Sequence, residues 1–221
     1  WLKKCSDADD ATKHTKSANL SQLALLRTLV SVAETLPQFA VPYLGTLFAP
    51  SALPSRMLRS DAREDAVLVA NMTERLDRAL AKRTPARQII PAASKAVAIC
   101  LNEDNSDEAV VDAAGWQEAK ALLSILKSSV DCTSRAELTP VVGKLLNAIL
   151  IAFKYDAAAE DDGQQELLTA ANETLLTLVL KLSEAQLRPL YARIREWRGD
   201  LDETNTEGDD AAVAATKRYA F

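Results

Sequence analysis

The chain predicts an all-α solenoid of about four HEAT-like helical hairpins, and three observations carry that prediction. Only six Gly, eight Pro and 5% aromatic residues stand against 48% hydrophobic residues rich in Ala and Leu. That balance favours helices over a sandwich or barrel with many turns. Four of the prolines, Pro42, Pro91, Pro140 and Pro189, follow one another at intervals of 49 residues. The residues around them agree in character. Two positions before each proline stand Ala40, Ile89, Leu138 and Leu187, and five after it Leu47, Ala96, Leu145 and Ile194. These positions form a buried stripe at helical spacing.

Each proline-marked helix is preceded by another amphipathic stretch, at about Leu20–Leu36, Asp61–Lys82, Asp112–Val130 and Gln165–Lys181. The unit is therefore helix, short turn, helix. Start signals precede the proline by five to seven residues in three units: Thr84-Pro85, Ser134 with Glu137, and Ser183 with Gln186. A Ser or Thr with Glu or Gln three residues later can satisfy the first backbone donors of a helix reciprocally. A proline five or six residues into a helix lacks one backbone donor and should kink or tighten its first turns.

The resulting organisation is a flexible stretch at 1–18 and hairpin units at about 19–60, 61–107, 108–158 and 159–198. An acidic loop follows at 199–210, and 211–221 reads as the start of a further helix that is cut short. The chain opens at Trp1, not Met, which fits a piece of a larger protein. The polar stretches Pro50–Ser60, Asn102–Asp107, Asp156–Gly163 and Gly199–Asp210 are the expected surface loops between units.

Composition also limits function. A net charge of −5 with pI near 5.1 excludes a broad positive field, so any nucleic-acid contact must be a local patch. The apolar runs are too short to cross a bilayer, and no membrane partner is expected. Cys5, Cys100 and Cys132 are odd in number and widely spaced, which fits a reducing compartment better than a disulfide framework or a metal knuckle. Cys100 and Cys132 are expected in the core. His14 stands alone among lysines near the N-terminus, and one His with three scattered Cys offers no metal set. Asp200-Leu-Asp-Glu-Thr204 falls short of a calcium loop, with Asn205 at the sixth position and Ala211 at the twelfth. Arg198-Gly199-Asp200 reads as coincidence, and the scattered glycines form no phosphate loop. No catalytic residue, cofactor, metal or small-molecule substrate is expected, and the chain reads as a non-enzymatic scaffold.

One column does point outward. Four residues after the repeat proline stand Thr46, Lys95, Lys144 and Arg193, three basic groups that stacked units would align. Arg87, Arg135 and Arg188 start the same helices. Such a ridge could meet RNA phosphates or an acidic protein surface, or serve as a solvated face whose aliphatic stems cover the core. Trp116, Trp197 and Tyr191 are expected as core or seam-filling residues.

The stretch Leu178-Val-Leu-Lys-Leu-Ser-Glu-Ala-Gln-Leu-Arg-Pro-Leu-Tyr-Ala-Arg-Ile-Arg-Glu-Trp197 resembles the C-terminal signature of the family of U-three-snoRNA-associated protein ten and HEAT-repeat-containing protein one. Leu36-Pro-Gln-Phe-Ala-Val-Pro-Tyr-Leu44 and Thr84-Pro-Ala-Arg-Gln-Ile-Ile-Pro91 are similar to the same region, so the resemblance covers roughly 20–221. Leu187 stands where the family often has Phe. The resemblance implies a very large HEAT-repeat protein of the nucleolar small-subunit processome. It implies WD-repeat subunits of the transcription-linked subcomplex as partners, with pre-rRNA or the U3 snoRNP nearby. It further implies roles in 18S rRNA maturation and rDNA transcription, with no catalytic residues to carry over.

Overall fold

Hairpins of antiparallel helices stack side by side into two layers. The computed structural model describes residues 21, 23–49, 66–101, 113–154 and 162–205, and these are helical apart from short turns. The expectations for 1–18, for Cys5 and His14, and for 211–221 lie outside the described residues, as does most of each of the first three expected loops. The first layer contains α1 (23–35), α4 (Ala66–Arg83), α6 (Ala113–Cys132) and α9 (Asp162–Lys181). The second contains α2 (Pro37–Ala40) with α3 (Leu44–Leu47), then α5 (Ala86–Cys100), then α7 (Arg135–Leu138) with α8 (Val142–Phe153), then α10 (Glu184–Asn205). Within the first layer α4 packs on α6 and α6 on α9. Within the second, α3 packs on α5, α5 on α8, and α8 on α10. The layers meet through α4 with α5, α5 with α6 and α8 with α9.

Local chemistry explains most helix starts. The backbone N–H and hydroxyl of Ser134 both donate to the Glu137 carboxylate, the hydroxyl at 2.9 Å. Ser183 does the same to the side-chain oxygen of Gln186, at 3.0 and 2.9 Å. Both expected capping pairs therefore form. The third start differs: Pro85, extended at ψ 135°, is itself the N-cap of α5. Thr84 caps nothing, and its hydroxyl is buried without a hydrogen-bond partner.

The repeat prolines act in two ways. Pro42 sits in a 3-10 turn, Val41–Tyr43, between α2 and α3, and Pro140 sits in the break between α7 and α8. Pro91 and Pro189 lie inside the unbroken α5 and α10. The two broken units have Gly three residues after the proline, Gly45 and Gly143, where the unbroken ones have Ser94 and Ala192. A helical Gly costs about 1 kcal/mol relative to Ala, which adds to the bond lost at proline and lets the helix part there. Two boundaries also move. The α9 helix begins at Asp162, inside the loop expected up to Gly163, and α10 runs to Asn205, into the segment expected as an acidic loop from Gly199. After Pro189 no proline follows, and a single Gly199 is too small a cost to stop a long helix.

One continuous hydrophobic cluster runs through the described hairpins. The stripe columns behave as the spacing requires: Ala40, Ile89 and Leu138 are buried, as are Ala96 and Leu145. Leu187, Leu47 and Ile194 are half-buried. Leu187 and Ile194 belong to α10, whose main contact with the described second-layer helices is with α8. A hairpin flanked on both sides buries its stripe fully; one flanked on a single side cannot. Ile89, Ile90, Leu123, Leu126, Leu145 and Ile149 are among the fully buried side chains, so the middle of the stack carries the densest packing.

Candidate binding surface

Polar bonds between successive hairpins set the register along both layers. In the first layer Lys120 donates to Glu166 at 2.7 Å, Gln117 to the same carboxylate at 3.2 Å, and Lys127 to Glu173 at 2.9 Å. These bonds, Lys120 first, hold Glu166 below the usual carboxylate range. Arg75 likewise grips Glu34, its Nη2 donating at 2.7 Å, and lowers the Glu34 pKa while its own rises. The buried hydroxyl of Thr174 lies 2.7 Å from the carbonyl of Ala170 in its own helix and 3.2 Å from that of Leu123 in α6, either of which can accept its proton. In the second layer Gln186 donates to the Thr139 hydroxyl at 2.8 Å and Arg193 to Asn147 Oδ1 at 2.8 Å.

A reciprocal clamp joins α6 and α9 at their C-terminal ends. Lys181 Nζ donates to the carbonyls of Asp131 and Thr133, the latter at 3.0 Å, while Arg135 Nε donates to the carbonyl of Lys181 at 2.7 Å. Helix C-termini present unpaired carbonyls at the negative end of the dipole, so cations there serve two needs at once. Lys181→Met is expected to lower stability by about 1–2 kcal/mol, with Lys181→Arg recovering part of it. An unchanged urea midpoint for the Met variant would show that water serves those carbonyls equally well.

All six basic residues singled out by the repeat lie on exposed positions of second-layer elements, but the structure divides them. Arg135 is spent on the clamp, and Arg188 pairs with Glu184 one turn earlier at 2.8 Å. Arg193 is oriented by Asn147 on the adjacent α8. Lys95, Lys144 and Arg87 make no hydrogen bond or ion pair with the described residues. Lys95 is exposed together with Gln88 and Ile99 on one side of α5, and Lys144 with Asn147 on α8. The α5 and α8 helices contain Arg87, Lys95 and Lys144 and no acidic residue. The α10 helix carries both signs, with Glu184 in its first turn and Glu196 among Arg193, Arg195 and Arg198.

Other expectations are corrected. Trp116 is buried and Trp197 packs half-buried against the core, but Tyr191 is 69% exposed: it lies away from the α10 stripe of Leu187, Leu190 and Ile194. Cys100 is a core residue, whereas Cys132, in the last turn of α6, is exposed. The sequence reading passed over Phe39 in α2 and Tyr43 in the 3-10 turn that follows it, 61% and 63% exposed. It also passed over Asp77 on α4. Burial, helped by Glu74 one turn away, pushes the Asp77 carboxyl up to about 7. Between α8 and α10 lies a groove of about 460 Å³ whose lining includes Leu150, Ile151, Trp197, Arg193 and Glu196. Among the described residues no cluster of His, Cys, Asp and Glu could hold a metal ion, and no helix is long and apolar enough to cross a membrane.

The stack, its neighbour-only contacts and its caps define an all-α solenoid of the HEAT-like class. Residues 120–221 match the BP28CT (NUC211) domain. The chain is homologous to HEAT repeat-containing protein 1, in agreement with the resemblance of roughly residues 20–221 to the family of U-three-snoRNA-associated protein ten. It is 28% identical over 206 residues to the HEAT repeat-containing protein 1 homolog of Drosophila melanogaster, covering 89% of this chain and 9% of that protein. It is 25% identical over 190 residues to HEAT repeat-containing protein 1 of Homo sapiens, covering 84% of this chain and 8% of that protein. This chain thus spans less than a tenth of the length of either relative. No solved structure matches it.

Proposed function

We propose that this chain is a structural scaffold segment of a nucleolar ribosome-assembly factor. It acts without catalysis in small-subunit processome assembly, pre-18S rRNA processing and the linked transcription of rDNA. The observation that carries this reading is the BP28CT (NUC211) match over 120–221 on a chain homologous to HEAT repeat-containing protein 1. The physical support is the architecture: a stack in which each hairpin buries its apolar face on its neighbours leaves two long, chemically varied surfaces for docking. The partners in this reading are WD-repeat subunits of the transcription-linked subcomplex, with pre-rRNA or the U3 snoRNP alongside and no small-molecule substrate.

The test is affinity purification and imaging of the tagged full-length protein in cells. Recovery of processome WD-repeat subunits with 18S precursors, and build-up of those precursors when this segment is deleted, is the expected result. A cytosolic or nuclear-pore pattern without ribosomal precursors would instead identify a HEAT-type transport adaptor and sink the proposal.

A further inference from the structure

The outer face of the second layer combines two features that the repeat stacking brings together. At one end Phe39 in α2 and Tyr43 in the 3-10 turn after it stand more than half exposed, and Thr46 in α3 is exposed as well. These two bulky aromatic rings left in water contrast with their chain neighbours Ala40 and Leu44, which are buried. From there α3 leads onto α5, α5 onto α8 and α8 onto α10, carrying Lys95, Lys144 and Arg193 in order. Neighbouring helix axes lie about 8–10 Å apart, so the three cations span roughly 20 Å. Among the described residues Lys95 and Lys144 have no hydrogen-bond or ion-pair partner, and Arg193 Nη2 donates to Asn147 Oδ1 on α8 at 2.8 Å. Gly45 and Gly143 carry open space where a side chain would begin, so the helix surface beside Thr46 and Lys144 is bare.

Cations alone would suit an acidic protein segment as well as a phosphate chain. The aromatic pair separates the two. An acidic peptide gains little from flat exposed rings, whereas unpaired bases stack on them while phosphates follow a basic groove. A duplex keeps its bases stacked on each other and cannot use them.

We propose that this face is a path for single-stranded RNA, with bases stacking on Phe39 and Tyr43 and phosphates met by Lys95, Lys144 and Arg193. The inference deepens the ribosome-assembly reading and rests on it for the strand's origin, but the chemistry is tested without it.

The experiment is fluorescence anisotropy of the 221-residue chain with a labelled, unstructured RNA of about 20 nucleotides. Binding should weaken with salt with a log–log slope of about −2, the value for three phosphate contacts on a single strand. The combined Lys95→Glu, Lys144→Glu and Arg193→Glu variant should bind about 30-fold or more weakly and flatten that slope. Phe39→Ala and Tyr43→Ala should each weaken binding about tenfold at unchanged slope. All five positions are exposed, so circular dichroism and thermal midpoints should match the parent. No binding at low salt overturns the proposal, as does binding indifferent to the triple reversal. Equal binding of a duplex of the same length also overturns it. Displacement by polyglutamate but not by unlabelled RNA assigns the face to an acidic protein segment, again overturning it. Strand binding with the expected pattern, in a protein that does not associate with ribosomal precursors in cells, would leave this inference standing and remove the ribosome-assembly reading.

Discussion

Replacing Ile149 by Ala should lower the unfolding free energy by about 3–4 kcal/mol, a large share of the roughly 5–15 kcal/mol that holds a domain of this kind together. Ile149 is fully buried in α8, the helix that touches α5 and α10 in its own layer and α9 in the other. Truncation removes three methyl or methylene groups and leaves a void that three separate helices would have to close. Because α8 is committed on all those sides, relaxation into the void is restricted and the cost sits toward the upper part of the usual range. A solenoid adds a second consequence. Contacts run only between neighbours, so weakening one middle hairpin uncouples the units on either side, and the denaturation curve should broaden as well as shift. Ile99→Ala is the control: Ile99 is 49% exposed on α5, and its loss should fall within about 0.5 kcal/mol. Urea unfolding followed by circular dichroism checks both. Equal midpoints for the two variants would mean that α8 does not sit at the centre of the stack.

The fold was legible where one local rule acted alone. Ser134 with Glu137 and Ser183 with Gln186 need only a hydroxyl, a chain reversal and a side chain three residues on, and both pairs form as read. The stripe from Ile89 through Leu145 follows from helical periodicity in the same way. Boundaries were less legible because they depend on sums of small terms. Pro140 breaks its helix and Pro91 does not, a difference that hangs on Gly143 against Ser94 and about 1 kcal/mol. Nothing local announced that α10 would continue to Asn205.

The surface was half legible for a different reason. Repeat spacing finds positions that face the same way, and all six basic residues it named are exposed. It cannot find partners from another hairpin, since those depend on how far each unit turns relative to the last. Arg135 therefore read as an open cation although it is occupied by the carbonyl of Lys181, and Lys181 was not singled out at all. Phe39 and Tyr43 escaped notice because aromatic residues are assigned to the core by default, and only the exposure of each ring in the fold overturns that default.

Asp77 provides the second large expected effect, a stability that rises as the solution is acidified from neutral pH. Asp77 is half-buried as a residue, but its carboxyl is walled off by surrounding atoms, and burial, then Glu74, raises it from 3.8 to about 7. Between those two values the unfolded chain has lost the proton and the folded chain keeps it. The folded state then binds more protons, so the unfolding free energy falls as pH rises through this window and levels off above about 7. A shift of that size corresponds to at most about 4 kcal/mol, and partial access of water to the residue reduces the expected cost to about 1–3 kcal/mol. Asp77→Asn removes the charge and should stabilise the chain by that amount at pH 8 while matching the parent near pH 4. Glu34 and Glu166 act in the opposite sense. Their lowered values give stability that is present above about pH 4.5 and lost below it, as pH falls through the folded values, so their loss lies on the acid side of the Asp77 window. Unfolding free energies of parent and Asn variant across pH 4 to 8 decide the matter. Parallel curves would mean that Asp77 is ionised in the fold at neutral pH, with water reaching its carboxyl.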